Sequence, residues 1–143
     1  MIKKGLVCGA FDLLHAGHML YLKDAKAHCD YLVVALHTDP SIENPKKNKP
    51  VMSVEERKIM LEGIKYVDEI RMYTTDDDLE KLIHDVNPDI KINGSDYVDG
   101  RQAKKPSGYG FVKEFYYHER KHNWSSTNLR ERVYMAEREK RNL

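Results

Sequence analysis

The sequence is poor in cysteine: Cys8 and Cys29 are its only two. One sits in an apolar run and the other ends a helical pattern. Two such thiols do not make a disulfide framework, and their spacing is not that of zinc ligands. Net charge is scarce as well, because 24 Lys and Arg stand against 23 Asp and Glu and leave +1. A chain so balanced lacks the basic excess of a nucleic-acid binder, and it shows no interleaving of basic and aromatic residues. Any contact with a nucleotide must then come from a local patch. Long apolar runs are missing too. No window approaches the roughly 20 residues of a membrane span, and MIKKGLVCGAFD at the start has no apolar run followed by a cleavage site. Neither an internal repeat nor a low-complexity segment appears. These absences predict a soluble cytoplasmic protein with no membrane or nucleic-acid partner, folded as one domain over residues 1–143.

What is present is a regular alternation of strand and helix patterns. KKGLVCGAF is a short apolar run that reads as a first strand. From His18 onward, Leu20, Leu22, Ala25, Ala27 and Cys29 mix with Lys23, Asp24 and Lys26, as in an amphipathic helix. YLVVALHT, residues 31–38, is continuously apolar, as a strand covered on both faces of a parallel sheet would be. After the loop DPSIENPKKNKPVM, the segment SVEERKIMLEGIKYV places Ser53 and Glu56 at the spacing of a capping box. Its apolar side is expected at Ile59, Met60, Ile64 and Val67. DEIRMYT and DDDLEKLIHDV follow as a third strand and helix, PDIKING as a fourth strand and FVKEFYYHE as a fifth. A last helix runs from Ser126 to about Arg141, with Leu129, Val133, Tyr134 and Ala136 on one side. The order predicts an α/β fold: a doubly wound, Rossmann-like parallel five-stranded sheet with helices on both faces. Ligands of such sheets bind beyond the carboxyl ends of the strands. Four unusual segments fall there: GAFDLLHAGH, HTDPSIENPKKNK, INGSDY and HERKHNWSST.

GAFDLLHAGH places His15 and His18 three residues apart at the first strand-to-helix turn. If the helix starts near Gly17, its free N–H groups and positive dipole end form an anion site. Two imidazoles beside that end can donate to phosphate oxygens and stabilise charge growing on phosphorus. Gly9 allows close backbone approach, Gly17 lets the helix crowd a ligand, and Asp12 can orient a histidine or a metal. An ordinary pair of polar turn residues is the plainer alternative.

These residues resemble the first signature of the HxGH nucleotidyltransferase superfamily. The FDLLHxGH form resembles cytidylyltransferases and heptose-phosphate adenylyltransferases. KYVDEI, residues 65–70, is similar to the Arg-Tyr-Val-Asp-Glu segment of cytidylyltransferases, and RKHNWSST, residues 120–127, matches the register of their RTEGISTT segment. The likeness runs from about residue 2 to residue 133 and is nearest to glycerol-3-phosphate cytidylyltransferases. It implies transfer of CMP from CTP to a small phosphorylated acceptor, glycerol-3-phosphate or a related phospho-alcohol, with release of pyrophosphate. It implies transition-state roles for His15 and His18, phosphate binding by the backbone near Ala10 and Phe11, and a bidentate grip by Arg120 on the triphosphate. Ser125, Ser126 and Thr127 would open the last helix toward phosphate, a place that also suits a plain N-cap. Gly9, Asp12, Gly17, Lys65 and Gly94 complete the implied nucleotide set. A functional lysine is implied in the loop ENPKKNKP, at Lys46 first and Lys47 next, with Lys49 the third candidate. Asp39, in HTD, would meet an acceptor hydroxyl or cap its own loop. Mg²⁺ is expected, because a triphosphate needs a divalent ion to neutralise it. A homodimer is implied as well.

Some positions depart from that pattern. Lys65 stands where cytidylyltransferases carry arginine, and Asn123 where glycine is expected, although Asn tolerates left-handed backbone. WSSTNLRER is also similar to a signature of mononucleotide adenylyltransferases, which keeps ATP and a heptose phosphate open as substrates. Asp76, Asp77 and Asp78 would welcome an ammonium, so phosphoethanolamine and phosphocholine stay open as acceptors, unless the acids only start a helix. A nucleotide-binding sensor without turnover is the non-enzymatic alternative.

Overall fold

The computed structural model describes residues 1–94 and 105–142. The elements are β1 (Lys4–Gly9), α1 (Ala16–Ala27), β2 (Tyr31–His37), α2 (Val54–Glu62), β3 (Glu69–Tyr73), α3 (Asp76–Val86), β4 (Ile90–Gly94), β5 (Glu114–His118) and α4 (Ser126–Arg141). All five strands lie in one sheet of order β3-β2-β1-β4-β5. Every neighbouring pair is parallel. The expected doubly wound sheet is therefore present, and its topology reverses between β1 and β4.

The alternation of side chains along the strands supplies two cores. Val7, Leu32, Val34, Leu36, Ile90 and Ile92 face Leu22 and Ala25 of α1 and Leu61 of α2. Leu6, Val33 and Ala35 face Leu79, Leu82, Ile83 and Val86 of α3 on the other side. Burial of both strand faces explains why YLVVALHT shows no polar alternation.

The capping box of α2 forms as expected, with the Glu56 N–H donating to Ser53 Oγ and the Ser53 N–H to Glu56 Oε1, both at 3.1 Å. The expected apolar side of that helix does not form. Ile59 and Met60 are 62% and 47% exposed, and the helix buries Arg57 and Leu61 instead. It stops at Glu62, so Ile64 and Val67 pack against the core from the segment that follows. At α3, Thr75 and Asp78 make a second capping box, which gives the acidic run a local task at a helix start. α4 buries none of its side chains, and Val133, Tyr134 and Met135 are exposed. Residues 95–97 of the GSDY segment lie outside the described residues.

Candidate active site

The loop from β1 to α1 is held in an unusual backbone. Phe11 and Leu13 have φ of 49° and 50°, a left-handed conformation that costs a residue with a side chain free energy. It brings the chain round so that His15 becomes the N-cap of α1. His15 Nδ1 accepts the Gly17 N–H at 3.0 Å, and His18 Nδ1 accepts the His15 N–H at 3.1 Å. HAGH is thus a capping box made of two imidazoles, at the spacing of the Ser-x-x-Glu box. A ring that accepts at Nδ1 carries its hydrogen on Nε2 when neutral. Both histidines therefore present Nε2–H donors away from the helix end. Their ring centroids are 3.9 Å apart.

Burial, and the neighbouring His15, push the His18 pKa down to about 4. Burial, then His122 and Arg120, lower that of His15. At neutral pH the pair acts through neutral N–H groups, and positive charge in the cleft comes from Arg120 and the helix ends. Stability follows in sign. Between pH 6.5 and about 4 the unfolded chain takes up protons at His18 that the folded chain refuses, so stability is lost as pH falls through that window. In His18→Asn, which keeps an acceptor for the His15 N–H but does not titrate, the fall in Tm between pH 6.5 and 5 is expected to be shallower than in the wild type. Parallel slopes would show that His18 is not the titrating group.

These histidines face a cleft of about 330 Å³ lined also by Cys8, Tyr21, Gly94, His118, Arg120, His122, Trp124, Ser125 and Ser126. It lies at the carboxyl ends of β1, β4 and β5, the side where the strand order reverses. A second helix end reaches it. Ser125 caps α4 by accepting the Asn128 N–H at 3.0 Å, and Ser126 Oγ donates to the Asp12 carbonyl at 3.3 Å. The amino ends of α1 and α4 thus converge on one space. Two such ends, two Nε2–H donors and the Arg120 guanidinium suit a polyphosphate. The Cys8 thiol, raised to about 11 by burial, lines the cleft in its neutral form.

The cytidylyltransferase-like family profile matches residues 6–132. The chain belongs to this family. It is 38% identical over 126 residues to bifunctional protein HldE of Helicobacter pylori strain HPAG1, with 87% of this chain and 26% of that one covered. It is 36% identical over 129 residues to HldE of Caulobacter vibrioides, covering 90% and 26%. The chain thus spans about a quarter of the length of these relatives. A solved lipopolysaccharide core biosynthesis protein from Thermoplasma volcanium superposes with a TM-score of 0.69 at 25% identity, over 85% of this chain and 100% of that one. Pantothenate synthetase from Thermus thermophilus shares the fold, with a TM-score of 0.62 at 16% identity over 89% and 61%. The expected likeness to cytidylyltransferases holds at the level of the family, while these relatives carry the HldE name and not that of glycerol-3-phosphate enzymes.

Within this cytidylyltransferase-like chain the cleft gathers His15, Gly17, His18, Gly94, Arg120, Ser125 and Ser126 from the expected set. Other members fall elsewhere. Gly9 ends β1, and Ala10 and Phe11 open the loop leading to His15, with Phe11 buried and the Ala10 carbonyl turned to Arg57. Among the described residues Asp12 makes no hydrogen bond to a histidine. Its two oxygens accept the Val51 and Met52 N–H groups at 2.8 and 2.9 Å, which ties the end of the lysine loop to the cleft's edge. Asp39 caps its own loop, accepting the Ser41 N–H and hydroxyl at 2.9 and 2.6 Å. Lys46, Lys47 and Lys49 are exposed on that loop after β2, and Thr127 is exposed in the first turn of α4. Lys65 is a correction. It lies in the turn that enters β3, at the amino end of the sheet, with its ammonium 5.3 Å from the Tyr66 ring, so this chain does not bring it to the cleft.

Four residues went unread in the sequence. His118, His122 and Trp124 line the cleft, and their signal was only position, at the end of the last strand and just after it in a family-like register. Arg57 is 1% exposed and donates to the carbonyls of Met52, Ala10, His37 and Thr38. It was hidden inside a helix whose apolar stripe had been assigned elsewhere.

Proposed function

We propose that this protein is a nucleotidyltransferase that moves AMP from ATP to the phosphate of a sugar phosphate of the heptose type. A phosphate oxygen of the acceptor attacks the α-phosphorus, the bond to the bridging oxygen breaks, and pyrophosphate leaves. The observation that carries the reading is the convergence of two helix amino ends, the Nε2–H groups of His15 and His18, and Arg120 on one cleft. Such a reaction asks a protein for positioning and charge stabilisation more than for covalent help. ATP and a sugar acceptor are supported by the relatives, which are bifunctional HldE proteins and a protein of lipopolysaccharide core biosynthesis. The position of Lys65 away from the cleft removes one argument for CTP.

Transfer of CMP from CTP to glycerol-3-phosphate is the second reading, favoured by the family name and by the Tyr-Val-Asp-Glu that follows Lys65. Lys46 and Lys47, on the loop that Asp12 tethers, are proposed to meet the α-phosphate or the acceptor when substrates bind. Mg²⁺ is proposed to arrive on the triphosphate. Among the described residues no group of three acidic, histidine or cysteine side chains could hold a metal ion, and Asp12 is engaged with backbone, so phosphate oxygens would be its ligands.

The test is pyrophosphate release with Mg²⁺, crossing ATP and CTP with heptose 1-phosphate, glycerol-3-phosphate, phosphoethanolamine and phosphocholine. Release with ATP and the heptose phosphate is expected. Release only with CTP would transfer the assignment to the second reading, and bound nucleotide without release would point to a sensor. A homodimer is proposed from the family likeness alone. Sedimentation at about twice the chain mass of 16.7 kDa supports it, and a particle of one chain mass rejects it.

A further inference from the structure

His118 ends β5, lines the cleft, and has no part in the phosphate chemistry above. Its Nδ1 lies 2.7 Å from Asp24 Oδ2, two turns down α1 from His18. The same carboxylate oxygen accepts the Tyr116 hydroxyl at 3.0 Å, and the His28 Nδ1 is 3.6 Å from its other oxygen. A carboxylate only accepts, so His118 Nδ1 carries the hydrogen and Nε2 of the neutral ring presents a lone pair. That atom is buried and has no hydrogen-bond partner among the described residues. The side chain is 13% exposed, and Tyr21 meets the ring edge-on at 5.4 Å between centroids.

The hydrogen-bond polarity of the cleft is thereby divided. His15 and His18 each accept a backbone N–H at Nδ1 and present Nε2–H donors, and His122 accepts the Trp124 N–H at Nδ1, which leaves its hydrogen on Nε2, buried and without a partner among the described residues. Together with Arg120 they make the phosphate end. His118, with Tyr21, Cys8 and Gly94, makes an end that has an imidazole nitrogen without a donor, an aromatic ring and no lysine or arginine. A lone pair there is not required as a base, since the attacking phosphate oxygen is already ionised at neutral pH. A buried acceptor left without a partner costs free energy until a ligand donor meets it.

We propose that His118, held in this tautomer by Asp24, recognises the exocyclic amino group of the nucleotide base and rejects bases that carry a carbonyl oxygen there. The inference rests on the nucleotide-binding reading of the cleft. Adenine and cytosine each present an amino group on the edge where hypoxanthine, guanine and uracil present oxygen. It therefore holds for ATP and for CTP. A site built to accept a substrate hydrogen bond discriminates strongly against an analogue that cannot give it.

Trp124, the only tryptophan, lines the cleft, so its fluorescence reports binding independently of turnover. Titration of the whole chain with ATP and ITP, and with CTP and UTP, is expected to favour the amino member of the tighter-binding pair by about tenfold or more. His118→Ala is expected to bring that ratio to within about twofold, and Asp24→Asn, which releases the tautomer, to lower it at least about fivefold. Wild-type affinities within about twofold for ATP and ITP and for CTP and UTP would overturn the proposal without any variant. Equal losses for both members in His118→Ala and Asp24→Asn would overturn it too, since a merely structural role lowers both and leaves the ratio fixed. Pyrophosphate release read in parallel separates the two readings. Silence there with the affinity ratio intact defeats the transferase reading and leaves this one standing, while no nucleotide response of any kind defeats both.

Discussion

His18→Ala is expected to lower kcat by about 10²- to 10³-fold, the usual loss of one donor aimed at developing oxyanion charge, while nucleotide affinity read from Trp124 changes by less than about threefold. The asymmetry follows from what the ring can do. It is neutral at working pH, because burial holds its pKa at about 4, and its Nδ1 is already used by the His15 N–H. Only Nε2–H is left for substrate. The charge it meets is greatest when the phosphorus is five-coordinate, so its contribution is realised in the transition state. Two variants separate that role from helix capping. His18→Asn keeps an acceptor near the Nδ1 position and loses the donor; His18→Gln keeps a donor near the Nε2 position. Recovery by Gln and not Asn supports the catalytic donor, recovery by Asn makes His18 a cap, and equal losses in kcat and affinity make it a ground-state contact.

The order of elements was legible in the sequence because both sheet faces are buried, which leaves long apolar strands, and because α2 carries a capping box in plain form. HAGH was legible as the turn into the first helix, but its own capping box was not, since imidazoles stand where Ser and Glu are usually found. Lys65 failed for a different reason. A motif records a position in the chain, and this one falls before β3, at the amino end of a parallel sheet whose histidine-lined cleft lies at the other end. His118 could not be read because its chemistry depends on Asp24, which is 94 residues away in the chain and meets it only once α1 packs beside β5. Arg57 illustrates the limit of periodicity. An arginine at i and a leucine at i+4 share the inward face of α2, and an apolar count gives that face to Ile59 and Met60 instead.

Arg57→Leu is expected to destabilise the fold by about 3 kcal/mol or more, at the scale of breaking a buried charged network. For a chain of this size that corresponds to a fall in Tm of about 6–12 °C. The guanidinium spans three segments: Nε meets the Met52 carbonyl at 3.0 Å, and the two terminal nitrogens meet those of Ala10, His37 and Thr38. Those carbonyls end β1 and β2 and precede α2, so one side chain fixes the entry to the HAGH turn against the lysine loop. Leucine fills part of the space and satisfies none of them. Lysine keeps the charge but not the planar fork that reaches several carbonyls at once, so Arg57→Lys should recover less than half of the lost stability. Both variants should also raise the KM for acceptor, because Asp12 anchors the lysine loop to the same turn through Val51 and Met52. Thermal melts of the two variants measure the first effect. A fall of less than about 2 °C in Arg57→Leu would mean that water replaces the guanidinium at these carbonyls and that the loops are held by Asp12 alone.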